Sequence, residues 1–264
     1  MGGRVIIRVE ELTARYGAAT VLEGVCLEVR EGEIVVIAGA SGCGKSTLLK
    51  HMIGLHRPHG GRVLLDGHDI TRCDDAVYRK LLRGIGILYQ ESALLGSMTV
   101  GENVALPLRE HTDLSEQALS SLVRIKLKMV HLEGYEDHLP SELSGGMRKR
   151  AGLARAMALN PRILFFDEPS AGLDPITSAD LDRLIGRLNR VFGTTMVIVT
   201  HELRSIFAIA QRVVFLDKGR RGIVAQGPPR DLKEKSTDSN VRRFFNPETP
   251  ALGSEEEATT SWQA

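Results

Sequence analysis

Residues Gly39-Ala40-Ser41-Gly42-Cys43-Gly44-Lys45-Ser46 fit the spacing G-x-x-x-x-G-K-[ST], with Thr47 directly after. Glycines at these intervals let successive backbone N–H groups converge on an anion. A helix starting there adds the partial positive charge of its N-terminus. In such a loop Lys45 would reach the β- and γ-phosphates of a nucleotide, and the Ser46 hydroxyl would ligate Mg²⁺. A second cluster follows far along the chain, where Ile163-Leu164-Phe165-Phe166 runs into Asp167-Glu168. Asp167 could join the Mg²⁺ shell, and Glu168 could polarise a water beside the γ-phosphate. Between them lies Leu143-Ser144-Gly145-Gly146-Met147. Taken alone, that run is only a flexible entry to a helix.

These residues need particular elements to hold them. Val5 to Ala14, Val25 to Val29, Glu33 to Ala38 and Arg62 to Asp66 read as strands, with turns at Gly24, Gly32 and Gly67. The stretch 33–38 is nearly all apolar, as in a strand buried on both faces. From about Thr99 to Asn160 the pattern is helical. Asp113 with Glu116 suits a capping box, and Ala118, Leu122, Ile125 and Met129 repeat at helical spacing. A helix from Ser144 to about Leu159 should stop before Asn160-Pro161. The last third returns to β–α–β rhythm. Ile163 to Asp167, Thr195 to Thr200 and Val213 to Asp217 read as strands. Asp174-Pro175 caps a helix with the stripe Leu181, Leu184, Ile185, Leu188 and Phe192. The expected fold is α/β: a phosphate-loop NTPase core with an N-terminal antiparallel β layer and an inserted helical subdomain at about 91–160. Residues 1–245 would form the ATPase domain and 246–264 a flexible or partner-binding tail.

Bulk properties exclude several classes. Lys plus Arg number 34 against 33 Asp plus Glu, so no basic surface argues for nucleic acid. No stretch approaches the ~18 apolar residues of a membrane span, and the first residues lack a signal-peptide core. Cys26, Cys43 and Cys73 stand apart, without metal or disulfide spacing. The histidines at 51, 56, 59 and 68 likewise lack the spacing of a metal site. Arg148-Lys149-Arg150 reads as a solvated helix face, with an interface role as the sharper alternative.

The order of the three motifs resembles the ABC ATPases. Asp167-Glu168 resembles their Walker B element and Leu143 to Met147 their signature. The resemblance extends to Tyr16, where an aromatic stacks on adenine, and to Gln90, where the Q-loop glutamine reaches Mg²⁺ and the water. It also covers Ser170-Ala171-Gly172-Leu173-Asp174, similar to the D-loop, and His201, similar to the switch histidine that bonds the γ-phosphate. It implies ATP and Mg²⁺ as ligands, with Glu168, His201 and Gln90 catalytic and with Ser46, Gln90 and Asp167 holding the metal. It further implies that Ser144, Gly145, Gly146 and Asp174 serve the nucleotide of a second subunit in a head-to-tail homodimer. Met147 stands where glutamine is common and cannot donate a hydrogen bond, so Ser144 and backbone groups must suffice there. Cys43, inside the loop, would be either open to a thiol reagent that ATP excludes or buried and unreactive.

A narrower resemblance lies in Gln90 to Val100, in Glu102-Asn103-Val104, in Met147 and in Asp174-Pro175-Ile176-Thr177, which are similar to the ATPases of the Mla and Mce lipid-transport systems. It implies lipid transport between inner and outer membranes through an MlaE-type permease and an MCE-domain protein, with a STAS-domain protein as a possible addition. The chain would then be cytoplasmic, held on the inner face of the inner membrane through the permease alone. Leu94, Leu95 and Met98 could form the groove for the permease, or could pack the helices on the core. The phenylalanines in Val241-Arg242-Arg243-Phe244-Phe245 could cover the chain's own core or reach a partner. An ATPase for another solute would carry the same core motifs. A soluble ABC protein of DNA repair or translation would usually show a second ATPase domain, a coiled-coil insertion or zinc cysteines. A non-hydrolysing regulator would not keep Lys45 and Glu168.

Overall fold

The computed structural model describes residues 3–247. The expected tail from 246 onward therefore falls almost wholly outside the described residues. Two long strands open the chain, β1 (Val5–Tyr16) and β2 (Ala19–Arg30), paired antiparallel around a tight turn at Gly17. The apolar strand β3 (Ile34–Gly39) runs into the phosphate loop and α1 (Lys45–Met52). Next come β4 (Gly60–Leu65), β5 (His68–Asp69), α2 (Asp75–Arg83) and β6 (Ile85–Leu88). A helical segment follows, with α3 (Val100–His111), α4 (Glu116–Met129) and α5 (Gly145–Ala156). The chain then alternates through β7 (Ile163–Asp167), α6 (Pro175–Phe192), β8 (Thr195–Val199), α7 (Leu203–Ile209), β9 (Arg212–Asp217) and β10 (Gly222–Gly227). It closes with α8 (Pro229–Lys235) and α9 (Ser239–Phe245).

Two sheets result. One is antiparallel, in the order β2-β1-β4-β5. The other has the order β10-β9-β3-β8-β7-β6, parallel except at the β10 edge. All six residues of β3 are buried, because one face meets the first sheet and the other meets helices. Val35 and Ile37 belong to the core between the sheets and α1, whereas Ile34, Val36 and Ala38 join the core under α3 to α7. Phe165 and Phe166 divide in the same way and are fully buried. Truncation of such a side chain to alanine typically costs ~3–5 kcal/mol, so the end of β7 is rigidly held. The carboxyl ends of β3, β6, β7 and β8 point to one edge, where ligands of parallel sheets bind.

The helical segment corrects three expectations. Ser115, not Asp113, caps α4, its side chain accepting from the Ala118 N–H. The buried face of α4 is Leu119, Val123, Lys126 and Leu127, one position on from the expected stripe, and Ile125 is exposed. Helix α5 ends at Ala156, short of Leu159, and Asn160 takes a positive φ before Pro161. On α6 the expected stripe is buried except for Phe192, which is exposed near the helix end.

Candidate functional site

The edge of the parallel sheet carries a cleft of about 710 Å³. Gly39, Ala40, Ser41, Gly42, Gly44, Lys45, Ser46, Thr47, Gln90, Glu168 and His201 line it together with Val21, Ala171 and Phe244. The loop's shape requires its glycines. At Gly39, φ is +146° and an added Cβ would lie 2.3 Å from the Leu216 carbonyl oxygen. Gly44, the residue before α1, has φ +102°, the left-handed region that side chains disfavour. Lys45 is buried and its ammonium donates to the carbonyls of Gly39 (2.9 Å) and Ala40 (3.1 Å), which holds the cation over the loop. Cys43 points the other way, into the inter-sheet core, where burial pushes its thiol pKa up. A buried thiol in that state is a poor nucleophile, which matches the buried, unreactive reading and not reagent sensitivity.

Strand β7 delivers the acids. The Ser46 hydroxyl donates to Asp167 Oδ1 at 3.0 Å. Glu168 has φ +48°, its N–H donates to the Val199 carbonyl at 2.9 Å, and its Oε1 lies 2.8 Å from His201 Nδ1. Its other oxygen, Oε2, is buried without a partner. A left-handed, partly buried carboxylate braced by an imidazole is well placed to accept a proton from a water at the cleft. Ser46, Asp167 and the Gln90 amide offer hard oxygen donors, the set that Mg²⁺ prefers. The unpartnered Glu168 oxygen leaves acceptor capacity beside them.

The signature residues lie elsewhere. Ser144 caps α5 and accepts from the Met147 N–H at 3.3 Å. Gly146 packs so closely on α6 that an added Cβ would sit 2.4 Å from Thr177 Cγ2. Asp174 caps α6 by accepting from the N–H groups of Ile176 and Thr177, both at 3.0 Å. The Thr177 hydroxyl and these amides hold its carboxyl below the usual aspartate range. Ser144, Gly145, Gly146 and Asp174 do not line this chain's cleft. Tyr16 does not line it either. Its ring is exposed at the hairpin turn, edge-on to His56 at 6.3 Å between centroids.

Other features escaped the sequence reading. Asn103 on α3 is fully buried and ties down the loop that follows Gln90. It accepts from the Leu95 N–H and donates to the carbonyls of Leu95, Met98 and Thr99. That loop sets Leu94 against the core and leaves Leu95 exposed. Phe245 is buried beside Phe215 on β9, and Phe244 meets Phe215 edge to face at 5.0 Å between centroids while lining the cleft. The aromatic pair thus packs on the chain's own core. Lys149 is buried, not solvated, and reaches the carbonyls of Gln90 and Glu168. Nothing in the charged run Arg148-Lys149-Arg150 marks Lys149 for burial, because its cover comes from distant segments.

Comparison with known proteins shows the family of the chain. A family model described as ABC transporter matches residues 22–171. A Mycobacterium leprae protein named probable ribonucleotide transport ATP-binding protein mkl is 42% identical over 92% of this chain and 69% of its own length. The intermembrane phospholipid transport system ATP-binding protein MlaF of Haemophilus influenzae is 38% identical over 92% of this chain and 91% of its own. An ATP-binding cassette solved as a dimer in a post-hydrolysis state with ADP and Pi superposes with a TM-score of 0.77. That chain is 33% identical, with 84% of this chain and 98% of the other covered. The chain belongs to the ABC transporter family, as an ATP-binding subunit that hydrolyses ATP.

Proposed function

We propose that two copies of this chain close head to tail around two ATP molecules and drive lipid movement through a separate membrane permease. The observation that carries the hydrolytic part is the 2.8 Å contact of Glu168 with His201 at the mouth of the phosphate cleft. In this reading the loop from Gly39 to Thr47 cradles the phosphates, and Lys45 pairs with the β- and γ-phosphates. Ser46, Asp167 and Gln90 would hold Mg²⁺, which supplies charge neutralisation at the phosphate oxygens. Glu168 takes the proton of the attacking water, and His201 orients Glu168 and contacts the γ-phosphate. Tyr16, exposed on its hairpin, offers a face for adenine. Ser144, exposed, and Gly145, half-buried, at the start of α5, with the backbone of buried Gly146 behind them, would cover the partner's nucleotide with a hydroxyl, backbone N–H groups and a helix dipole. Asp174 would approach the same interface.

The lipid assignment is supported by similarity to MlaF over nearly the full length of both chains and by the motifs from Gln90 to Asn103. It brings with it an MlaE-type permease, an MCE-domain protein, a STAS-domain protein and a peripheral position on the cytoplasmic face of the inner membrane. Among the described residues no helix is long and apolar enough to cross a membrane, so membrane contact is assigned to the permease. Exposed Leu95, above the loop that Asn103 holds, is the proposed contact point. Similarity to a protein named for ribonucleotide transport favours a second reading, an ATPase for another solute. Purification of the intact membrane complex separates the two. Phospholipid found by mass spectrometry and lipid-stimulated ATPase activity support the first. Stimulation by a nucleotide or another small solute, with no lipid bound, overturns it.

A further inference from the structure

Helix α5 turns one face toward the segment leaving β6. On that face Lys149, Gly152 and Arg155 recur at intervals of three residues. Arg155 donates to the carbonyls of Ser92 (2.9 Å) and Ala93 (2.7 Å). Ser92 and Ala93 both have positive φ, 61° and 50°, a conformation that costs energy and persists only when neighbours hold it. Gly152 leaves room for this turn, since a Cβ there would lie 2.8 Å from Leu88 Cδ1 and 3.1 Å from Ser92 Cβ. Lys149 completes the face. Its ammonium is buried and donates to the Gln90 carbonyl, and also to the Glu168 carbonyl at 3.5 Å.

Burying an ammonium is costly unless it is well paired. Burial draws this amine below the ordinary lysine range, while the carboxylates of Glu91, Glu168, Asp167 and Glu202 push back. Methionine would fill similar volume without that cost, so packing alone does not explain a lysine here. What the lysine adds is a hydrogen bond to the Gln90 carbonyl and a longer contact to the Glu168 carbonyl, the backbones of the two cleft residues read above as hydrolytic groups. It does so from the helix that begins at Ser144. About 7.5 Å of rigid helix separates the two positions, so they move as one body.

We propose that Lys149 is a positioning residue for hydrolysis. It sets the backbone, and so the side-chain aim, of Gln90 and Glu168 in its own cleft from the helix whose first turn covers the partner's nucleotide. Engagement of one site's nucleotide by Ser144 is thereby transmitted to the catalytic groups of the other. This rests on the reading of Glu168 and Gln90 as hydrolytic groups and names what regulates them.

The test uses the full chain and the assembled transporter, and compares Lys149→Met, Lys149→Arg and Lys149→Gln with Glu168→Gln. Equilibrium titration with a fluorescent ATP analogue should give Lys149→Met an affinity within about twofold of wild type, because Lys149 does not line the cleft. Its kcat should fall roughly 10–10²-fold, in the range of a lost positioning or proton-transfer contribution, with KM for ATP nearly unchanged. Lys149→Arg, which keeps the cation, should recover more of kcat than Lys149→Gln. A wild-type kcat for Lys149→Met while Glu168→Gln is inactive overturns this proposal and leaves the hydrolytic reading standing. Loss of ATP affinity in parallel with kcat overturns it too, since that marks a general structural role. Wild-type turnover by Glu168→Gln instead overturns the hydrolytic reading. If the methionine variant does not fold, Lys149→Gln is read by the same two assays, and wild-type values in both overturn the proposal.

Discussion

The phosphate cleft and the signature edge are both polar and glycine-rich, yet they are built differently. The cleft hangs from the ends of buried strands, and its groups already bond one another: Ser46 with Asp167, Glu168 with His201, Lys45 with the loop carbonyls. The signature edge is made of helix ends. Ser144 and Asp174 are exposed, and each spends its side chain capping its own helix. One region is a set of side chains already paired around a cleft, and the other is a pair of capped helix ends outside that cleft. On the reading proposed above, the two regions are half-sites that do not meet within one chain, and the caps satisfy the helix ends in the absence of a ligand.

The sharpest way to break this contrast is Glu168→Gln. If the cleft holds the chemistry, hydrolysis should fall by roughly 10²–10⁴, the usual worth of a general base, with ATP binding retained and the closed dimer accumulating on gel filtration. Near-normal turnover would remove Glu168 from its role. Ser144→Ala tests the other half. ATP affinity of the isolated chain should be unchanged, while kcat of the assembled transporter falls by roughly 10²-fold, as on losing one preorganised donor. The same change should cost ~1 kcal/mol of stability through the lost cap. Full activity with only the stability loss would make Ser144 a cap and nothing more.

The smallest effect concerns Asp182 on α6, the helix that Asp174 caps. It is buried with one oxygen unpartnered, and burial raises its pKa against the opposing Ser205 hydrogen bond. An acid with a raised folded pKa binds more protons in the native state, so its contribution to stability is present below the unfolded value and is lost as pH rises through the folded one. Wild-type stability measured by urea unfolding should therefore decline from about pH 4 toward neutrality relative to Asp182→Asn, which lacks the titrating proton. Parallel curves for the two proteins would show that Asp182 has no such shift.

Much of the cleft was legible because its residues are contiguous in sequence. Gly39 to Thr47 is the end of β3, the loop and the start of α1, and Ile163 to Glu168 is β7 and its end, each announced by an apolar run. Strand β7 has the expected ends, and Asp174 caps α6 as expected. The helical segment was harder to read. Its capping residue and buried stripe were each misplaced, because α4 buries Leu119, Val123 and Leu127 together with the aliphatic stem of Lys126, whose ammonium bonds Asn160. Periodicity counts a lysine as outside, whereas tertiary contacts turned this one in.

By itself the sequence determined which atoms can meet a phosphate, since loop spacing, strand ends and caps are local matters of backbone geometry and side-chain reach. Only the tertiary structure decided how distant elements share a purpose. It put the Lys149 ammonium under the carbonyls of Gln90 and Glu168, turned the Cys43 thiol into the core, laid Phe244 against the cleft and braced Glu168 with His201. The reason is physical: burial and pairing of a charged or apolar side chain depend on what packs over it, and here that cover comes from residues far away along the chain.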